Sequence, residues 1–104
     1  MSVGPHGQRR TRVTLRLPGM LRTNVGGAGG LRVTLTDGGT LGSLLDELAR
    51  THPALERRLR DEAGTLRRHV NFYVDGEECR VLRGVDTVLR DGGEVRVIPS
   101  VAGG

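Results

Sequence analysis

Apolar and polar residues alternate from Thr11 to Leu17. Val13, Leu15 and Leu17 fall on one face, with Thr14 and Arg16 on the other, the period-two pattern of a half-buried strand. Leu31, Val33 and Leu35 alternate with Arg32 and Thr34 in the same way. The two runs predict a hairpin with a long loop through Val25-Gly26-Gly27-Ala28-Gly29-Gly30. Pro18-Gly19 ends the first strand, and Met20 and Leu21 are expected to tuck under the domain. After a turn at Asp37-Gly38-Gly39 the period changes. Leu41, Leu44, Leu45 and Leu48 form one stripe at helical spacing, preceded by Thr40 as N-cap. Pro53 limits this helix to about Thr51, because the residue before a proline avoids the α region. Leu55 and Leu59 predict a second short helix or turn, and Asp61 to Thr65 a loop.

The last third reads as strands again. Val70, Phe72, Tyr73 and Val74 are β formers, and Asp75-Gly76 is a hairpin-turn signal, with Glu77 to Val81 returning as a short strand. Val85, Val88 and Leu89 form a small apolar patch, Asp91-Gly92-Gly93 turns the chain, and Val95 to Ile98 is the final strand. Pro99 stops it and begins a tail that ends in Gly103-Gly104. A hairpin, a helix and returning strands predict an α+β fold, with one mixed sheet of four to five strands packed on one main helix. The expected organisation is a lead-in over 1–10, a domain over 11–98 and a tail over 99–104.

Composition narrows the function. A chain of 104 residues supports one small core, without room for a deep pocket holding a full catalytic constellation. No apolar run approaches the roughly 20 residues that span a bilayer, and the polar start at Met1 to Arg12 lacks the apolar region of a secretory signal. The cytoplasm is the expected compartment. Every basic side chain is Arg, and the net charge is +4. The arginines are interleaved with acids, and Phe72 and Tyr73 are the only aromatics, so a nucleic-acid surface with stacking platforms is not expected. No GxxxxGK[ST] run is present to cradle phosphate. The single cysteine, Cys79, excludes an internal disulfide and reads as a strand residue without chemistry. His6, His52 and His69 are too dispersed for a ligand set, so no metal is expected. Glu77 and Glu78 are adjacent and point to opposite faces of a strand, which does not suit paired acid–base work. Arg57, Arg58, Arg60, Arg67 and Arg68 are a candidate basic rim for an acidic partner.

The order of elements, the segment Val70-Asn71-Phe72-Tyr73-Val74-Asp75-Gly76, the turn Asp91-Gly92-Gly93-Glu94-Val95 and the terminal Val101-Ala102-Gly103-Gly104 after Pro99 together resemble the β-grasp of ubiquitin-like proteins. More narrowly, residues 11–104 resemble the MoaD/ThiS family of sulfur carriers, and within it the CysO-type carriers of cysteine biosynthesis. The resemblance implies a protein cosubstrate and not an enzyme. Its reactive group is the C-terminal carboxylate of Gly104, adenylated by a partner and converted to a thiocarboxylate. Gly103, Ala102, Val101 and Pro99 are expected to thread into that partner, and Phe72 or Tyr73, whichever faces outward, to anchor the docked body, with Phe72 taken as the site residue. The implied partners are a ubiquitin-activating-like adenylyltransferase of MoeB/ThiF type, with or without its own rhodanese domain, a cysteine-synthase-like sulfur acceptor, and a metallopeptidase that releases the product. No cofactor is expected on the chain itself; the activating partner uses Mg-ATP. The alternatives are the small subunit of molybdopterin synthase, a sulfur donor for thiamine or a secondary metabolite, a ubiquitin-like protein modifier, and a binding module with an inert tail.

Overall fold

The computed structural model describes residues 10–36 and 39–99. Seven elements carry the sheet and its main helices: β1 (Arg10–Arg16), β2 (Gly30–Thr36), α2 (Leu41–Thr51), α3 (Pro53–Leu59), β3 (Val70–Val74), β4 (Glu77–Glu78) and β5 (Glu94–Pro99). A four-residue helix, α1 (Gly19–Arg22), runs into a 3-10 turn over Thr23–Val25, and a second 3-10 turn covers Gly84–Asp86. The strand order is β2-β1-β5-β3-β4. β1 and β2 pair antiparallel from Arg10↔Thr36 to Arg16↔Gly30, as the alternation predicts. The central contact, β1 with β5, is parallel, from Thr14↔Glu94 to Arg16↔Arg96. β3 pairs antiparallel with β5 and with β4. This is the ubiquitin-like β-grasp, one mixed sheet folded around α2.

Helix α2 forms where its pattern places it. The Thr40 Oγ1 accepts a hydrogen bond from the Ser43 N–H at 3.1 Å, satisfying one of the free donors of the first turn. Leu41, Leu44, Leu45 and Leu48 are all fully buried against the inner sheet face. His52 leaves the α region, as a residue before proline must, and Pro53 starts α3 at a position where a missing N–H costs nothing. α2 and α3 are then tied by Arg60. Its Nη2 donates to Asp46 Oδ1 at 2.7 Å, and its Nε donates to Glu56. Burial disfavours this guanidinium's charge, but the two carboxylates more than offset that and raise its pKa.

The Asp75-Gly76 turn has both residues at positive φ, 49° and 93°, the geometry that a tight hairpin of right-handed twist requires. Asp75 also reaches across the sheet. Its Oδ1 accepts from the Glu94 N–H at 2.9 Å and its Oδ2 from Arg90 Nε at 3.3 Å. A Cβ on Gly93 would sit 2.9 Å from the Arg90 carbonyl and 3.0 Å from Asp75 Oδ1, so this crossing requires glycine at 93.

The structure corrects four local expectations. Residues 19–25 are helical, inside the connection read from sequence as a long hairpin loop, and of the pair expected to tuck under, Leu21 is buried but Met20 is 61% exposed. A helix of one turn has one inward face, and Leu21 occupies it. The return strand after Gly76 stops at Glu78. The Cys79 N–H still bonds the Phe72 carbonyl at 2.8 Å, but the Cys79 carbonyl then takes the N–H groups of Leu82 and Gly84, which curls the chain into turns and leaves Val81 outside. Within the predicted patch at Val85, Val88 and Leu89, Leu89 is buried and Val88 exposed. Bonds from the Leu41 N–H to the Thr87 carbonyl and from the Leu89 N–H to the Gly39 carbonyl hold residues 87–89 extended, so Thr87 and Leu89 point in and Val88 out. Finally, β1 takes in Arg10 and β5 takes in Pro99, residues read from sequence as lead-in and tail. The predicted turn residues Asp37 and Gly38 lie outside the described residues, as does His6.

Candidate functional site

The sheet's architecture decides where the chain's last residues begin. β5 is the central strand, held by β1 on one side and β3 on the other, and its final residue Pro99 stands opposite Val70, the first residue of β3. Val101, Ala102, Gly103 and Gly104, the predicted reactive tail, lie outside the described residues together with Ser100. What the structure provides is their root and its surroundings.

On the outer sheet face the register lines up Arg16, Arg96 and Tyr73 across β1, β5 and β3, with Ile98 and Asn71 as the next pair. Glu94 neutralises part of this row, meeting Arg16 Nε at 3.0 Å and Arg96 Nη2 at 3.6 Å. Tyr73 is half-buried and Ile98 is exposed, so both can contribute contact area. Phe72 cannot. It is fully buried, which overturns its assignment as a partner-binding residue. The reason is the pleat: Val70, Phe72 and Val74 share the inner face with the α2 leucines, which turns Tyr73 to the outside. The outward aromatic of the pair is therefore Tyr73.

Two hollows flank Pro99. One, about 220 Å³, lies between Arg16, Arg22, Arg96 and Ile98. The other, about 380 Å³, opens between α1, α3 and the ends of β3 and β5. Its rim is Met20, Arg57, Arg58, Arg67 and His69, and its floor is Leu21, Val70 and Val97. Arg57, Arg58 and Arg67 of the predicted basic rim thus meet at the tail root. Arg60 does not join them, because Asp46 and Glu56 hold it on the α2–α3 seam with its side chain only 13% exposed. Arg68 is exposed outside the hollow. Met20, expected from the sequence to tuck under, stands at this rim instead, because the other side of the one-turn helix faces the core.

The remaining chemistry-bearing residues are structural. Cys79 is buried, and desolvation pushes its thiol pKa up, keeping it in the unreactive protonated form. The His52 Nδ1 lies 2.9 Å from Thr51 Oγ1 at the end of α2. Among the described residues no three His, Cys, Asp or Glu side chains converge on a metal position, and no helix is long and apolar enough to cross a membrane.

Comparison with known proteins places this geometry. The model of the ThiS family matches residues 15–104. Sulfur carrier protein CysO of Mycobacterium tuberculosis is 36% identical over 94 residues, covering 88% of this chain and 98% of that protein. Small archaeal modifier protein 1 of Haloferax volcanii is 36% identical over 80 residues, covering 77% of this chain and 87% of that protein. The crystal structure of the Amycolatopsis orientalis BexX/CysO complex holds a chain that superposes with a TM-score of 0.77 at 33% identity, covering 88% of this chain and 99% of that one. The matched span includes the hairpin-turn segment, the central strand and the terminal diglycine on which the sequence resemblance rested. The chain therefore belongs to the ThiS family and is a ubiquitin-like sulfur carrier, similar to both CysO and the small archaeal modifier proteins.

Proposed function

We propose that the protein carries sulfur as a thiocarboxylate on the C-terminal carboxyl of Gly104 and delivers it for cysteine biosynthesis, in the cytoplasm. One observation carries the reading: the central strand ends at Pro99, five residues before the Gly104 of a closing Gly103-Gly104, and the family match runs through those residues. Extended, those residues reach roughly 17 Å from the sheet, enough to enter an active site while the folded body stays outside. Glycine at the last two positions lets the backbone pass close to protein or nucleotide without a Cβ in the way.

The chemistry follows from the carboxylate. It is ionised at neutral pH, with an ordinary pKa of about 3.5, and is a poor electrophile. An adenylyltransferase of MoeB/ThiF type joins it to the α-phosphorus of Mg-ATP, releasing pyrophosphate and leaving an acyl adenylate. A persulfide then attacks the acyl carbon and expels AMP, forming an acyl disulfide. A second thiol cleaves the S–S bond, becoming half of a new disulfide, and the thiocarboxylate remains on Gly104. On a cysteine-synthase-like acceptor the thiocarboxylate sulfur replaces the leaving group at the β-carbon of an activated serine derivative, giving a thioester; an S-to-N acyl shift then leaves cysteine amide-linked to Gly104, and a metallopeptidase hydrolyses that amide to free it. The CysO relatives support the cysteine pathway, and the relative crystallised with BexX supports a carrier that docks whole onto a second protein. In this reading the outer sheet face, with Tyr73, Ile98 and Arg96, supplies docking affinity that offsets the entropy of ordering the tail.

The similarity to small archaeal modifier protein 1 favours one second reading, in which the same activated carboxyl is joined to lysines of other proteins. The protein itself has no lysine to accept it. Incubation with a MoeB/ThiF-type enzyme, Mg-ATP and a persulfide donor, followed by intact mass, tests both. Exchange of one oxygen for sulfur in the full chain, absent after deletion of Gly104, is the expected result. An adenylate that forms without sulfur uptake, with conjugates appearing in extract, would select the modifier. No change at all with competent enzymes would overturn the carrier chemistry.

A further inference from the structure

We infer that the hollow between α1, α3 and the ends of β3 and β5 is a docking seat for an acidic segment with an apolar anchor, belonging to the enzyme that threads the tail. The inference rests on the carrier reading above and adds to it a second contact surface, on the side of the sheet opposite Tyr73 and Ile98.

Charge is the first argument. Arg12, Arg16, Arg50, Arg60, Arg80, Arg90 and Arg96 each pair with a carboxylate of this chain. Arg57, Arg58 and Arg67 have no carboxylate partner among the described residues, and while Arg10, Arg22, Arg32, Arg68 and Arg83 also lack one, it is around this hollow that three unpaired guanidiniums gather; Arg67 Nε is occupied by the Arg57 carbonyl at 2.8 Å, which holds it at the rim. Among the described residues no acidic side chain lines this hollow. The hollow beside α2 differs, since Asp46 and Glu47 share it with Arg50. Three uncompensated guanidiniums around one depression form a local field that an acidic segment would complement.

The second argument is shape. The floor is apolar, Leu21, Val70 and Val97, and Met20 stands at the rim with most of its side chain in solvent. A flexible thioether beside an apolar floor suits a leucine- or phenylalanine-sized anchor. The third argument is position. Pro99 itself lines the hollow, so its occupant sits one residue from the start of the tail. The chain's own tail is a poor occupant by comparison. Ser100-Val101-Ala102-Gly103-Gly104 brings no side chain larger than valine and a single carboxylate for several cations.

The test uses the full chain and a short fluorescein-labelled peptide of alternating glutamate and leucine, read by fluorescence anisotropy at low salt and by backbone amide NMR shifts. The expected result is saturable binding that shifts the amides of Met20, His69 and Val97. Arg57→Glu with Arg58→Glu should weaken it on the order of tenfold or more, while Arg32→Glu, on the edge strand of the outer face, should change it less than about twofold. A lysine-for-glutamate peptide should not bind. Absence of saturable binding, equal weakening by Arg32→Glu, or shifts confined to Tyr73, Arg96 and Ile98 would overturn the inference. So would a gain of about tenfold or more on deleting Ser100–Gly104, which would assign the hollow to the chain's own tail. Failure of the carrier reading is seen separately, as wild-type protein that takes up no sulfur from activating enzyme, Mg-ATP and persulfide whatever the peptide does.

Discussion

The two ends of the sheet are built from the same residue types and organised oppositely. At the hairpin-turn end, where β1 and β5 begin and β3 finishes, arginine and aspartate close on one another. The Arg12 guanidinium and backbone N–H both bond Asp91, and Arg90 and the Glu94 N–H both bond Asp75. At the tail end, where β5 finishes at Pro99, exposed Arg57 and Arg58 and half-buried Arg67 line the larger hollow without a carboxylate partner among the described residues. An end whose charges are internally satisfied is fixed in shape. An end whose charges are left over holds electrostatic free energy that only a partner can use.

Four tests sharpen or break this contrast. The largest effect is expected at the residue whose placement the structure corrected. Phe72→Ala should cost about 3–5 kcal/mol in urea unfolding, whereas Tyr73→Ala on the outer face should cost about 1 kcal/mol or less. Comparable losses would mean the pleat does not separate the two aromatics as described. Next, Asp75→Ala at the closed end should cost about 1–3 kcal/mol, because it strips the Glu94 N–H of its acceptor and replaces aspartate, which tolerates positive φ, with alanine, which does so less well.

A smaller effect should appear with pH. The hydrogen bonds from the Arg12 side chain and backbone hold the Asp91 carboxyl below its ordinary range. A depressed folded-state pKa gives stability that is present above the unfolded value near 4 and is lost as pH falls through the lower folded one. Unfolding midpoints of the wild type should therefore decline over that acid range more steeply than those of Asp91→Asn, and matching slopes would show Asp91 to be uncoupled from Arg12. The smallest effect belongs to the open end. Arg57→Ala with Arg58→Ala should leave stability within about 0.5 kcal/mol. A loss of several times that would make these arginines part of the fold and would break the contrast.

Much of the fold was legible because it rests on local periodicity. The leucine stripe of α2, its Thr40 cap, the Asp75-Gly76 turn and the β1–β2 alternation each need only neighbouring residues to be read. The misreadings have one source, the choice of a side chain's face by something distant in sequence. Phe72 and Tyr73 are adjacent β formers, and nothing local says which meets the α2 leucines. Arg57, Arg58 and Arg60 look equivalent along the chain, yet only Arg60 lies within reach of Asp46 on the neighbouring helix. Glu77 to Val81 carries strand-forming residues, but the Cys79 carbonyl is claimed by later N–H groups and the strand ends early.

The sequence by itself determined the family: the Val70–Gly76 segment, the Asp91-Gly92-Gly93 turn and the closing Gly103-Gly104 carry the resemblance that the ThiS-family match bears out. It also determined the order of elements, since periodicity and turn residues act over a few positions. Only the tertiary structure decided where the tail begins relative to everything else. The parallel pairing of β1 with β5 puts Pro99 on the central strand, and the packing of α1 and α3 over the ends of β3 and β5 gathers Met20, Arg57, Arg58, Arg67 and His69 around it. Those residues are brought together by burial of the leucines and valines beneath them. That is a property of the whole core, and no short stretch of sequence contains it.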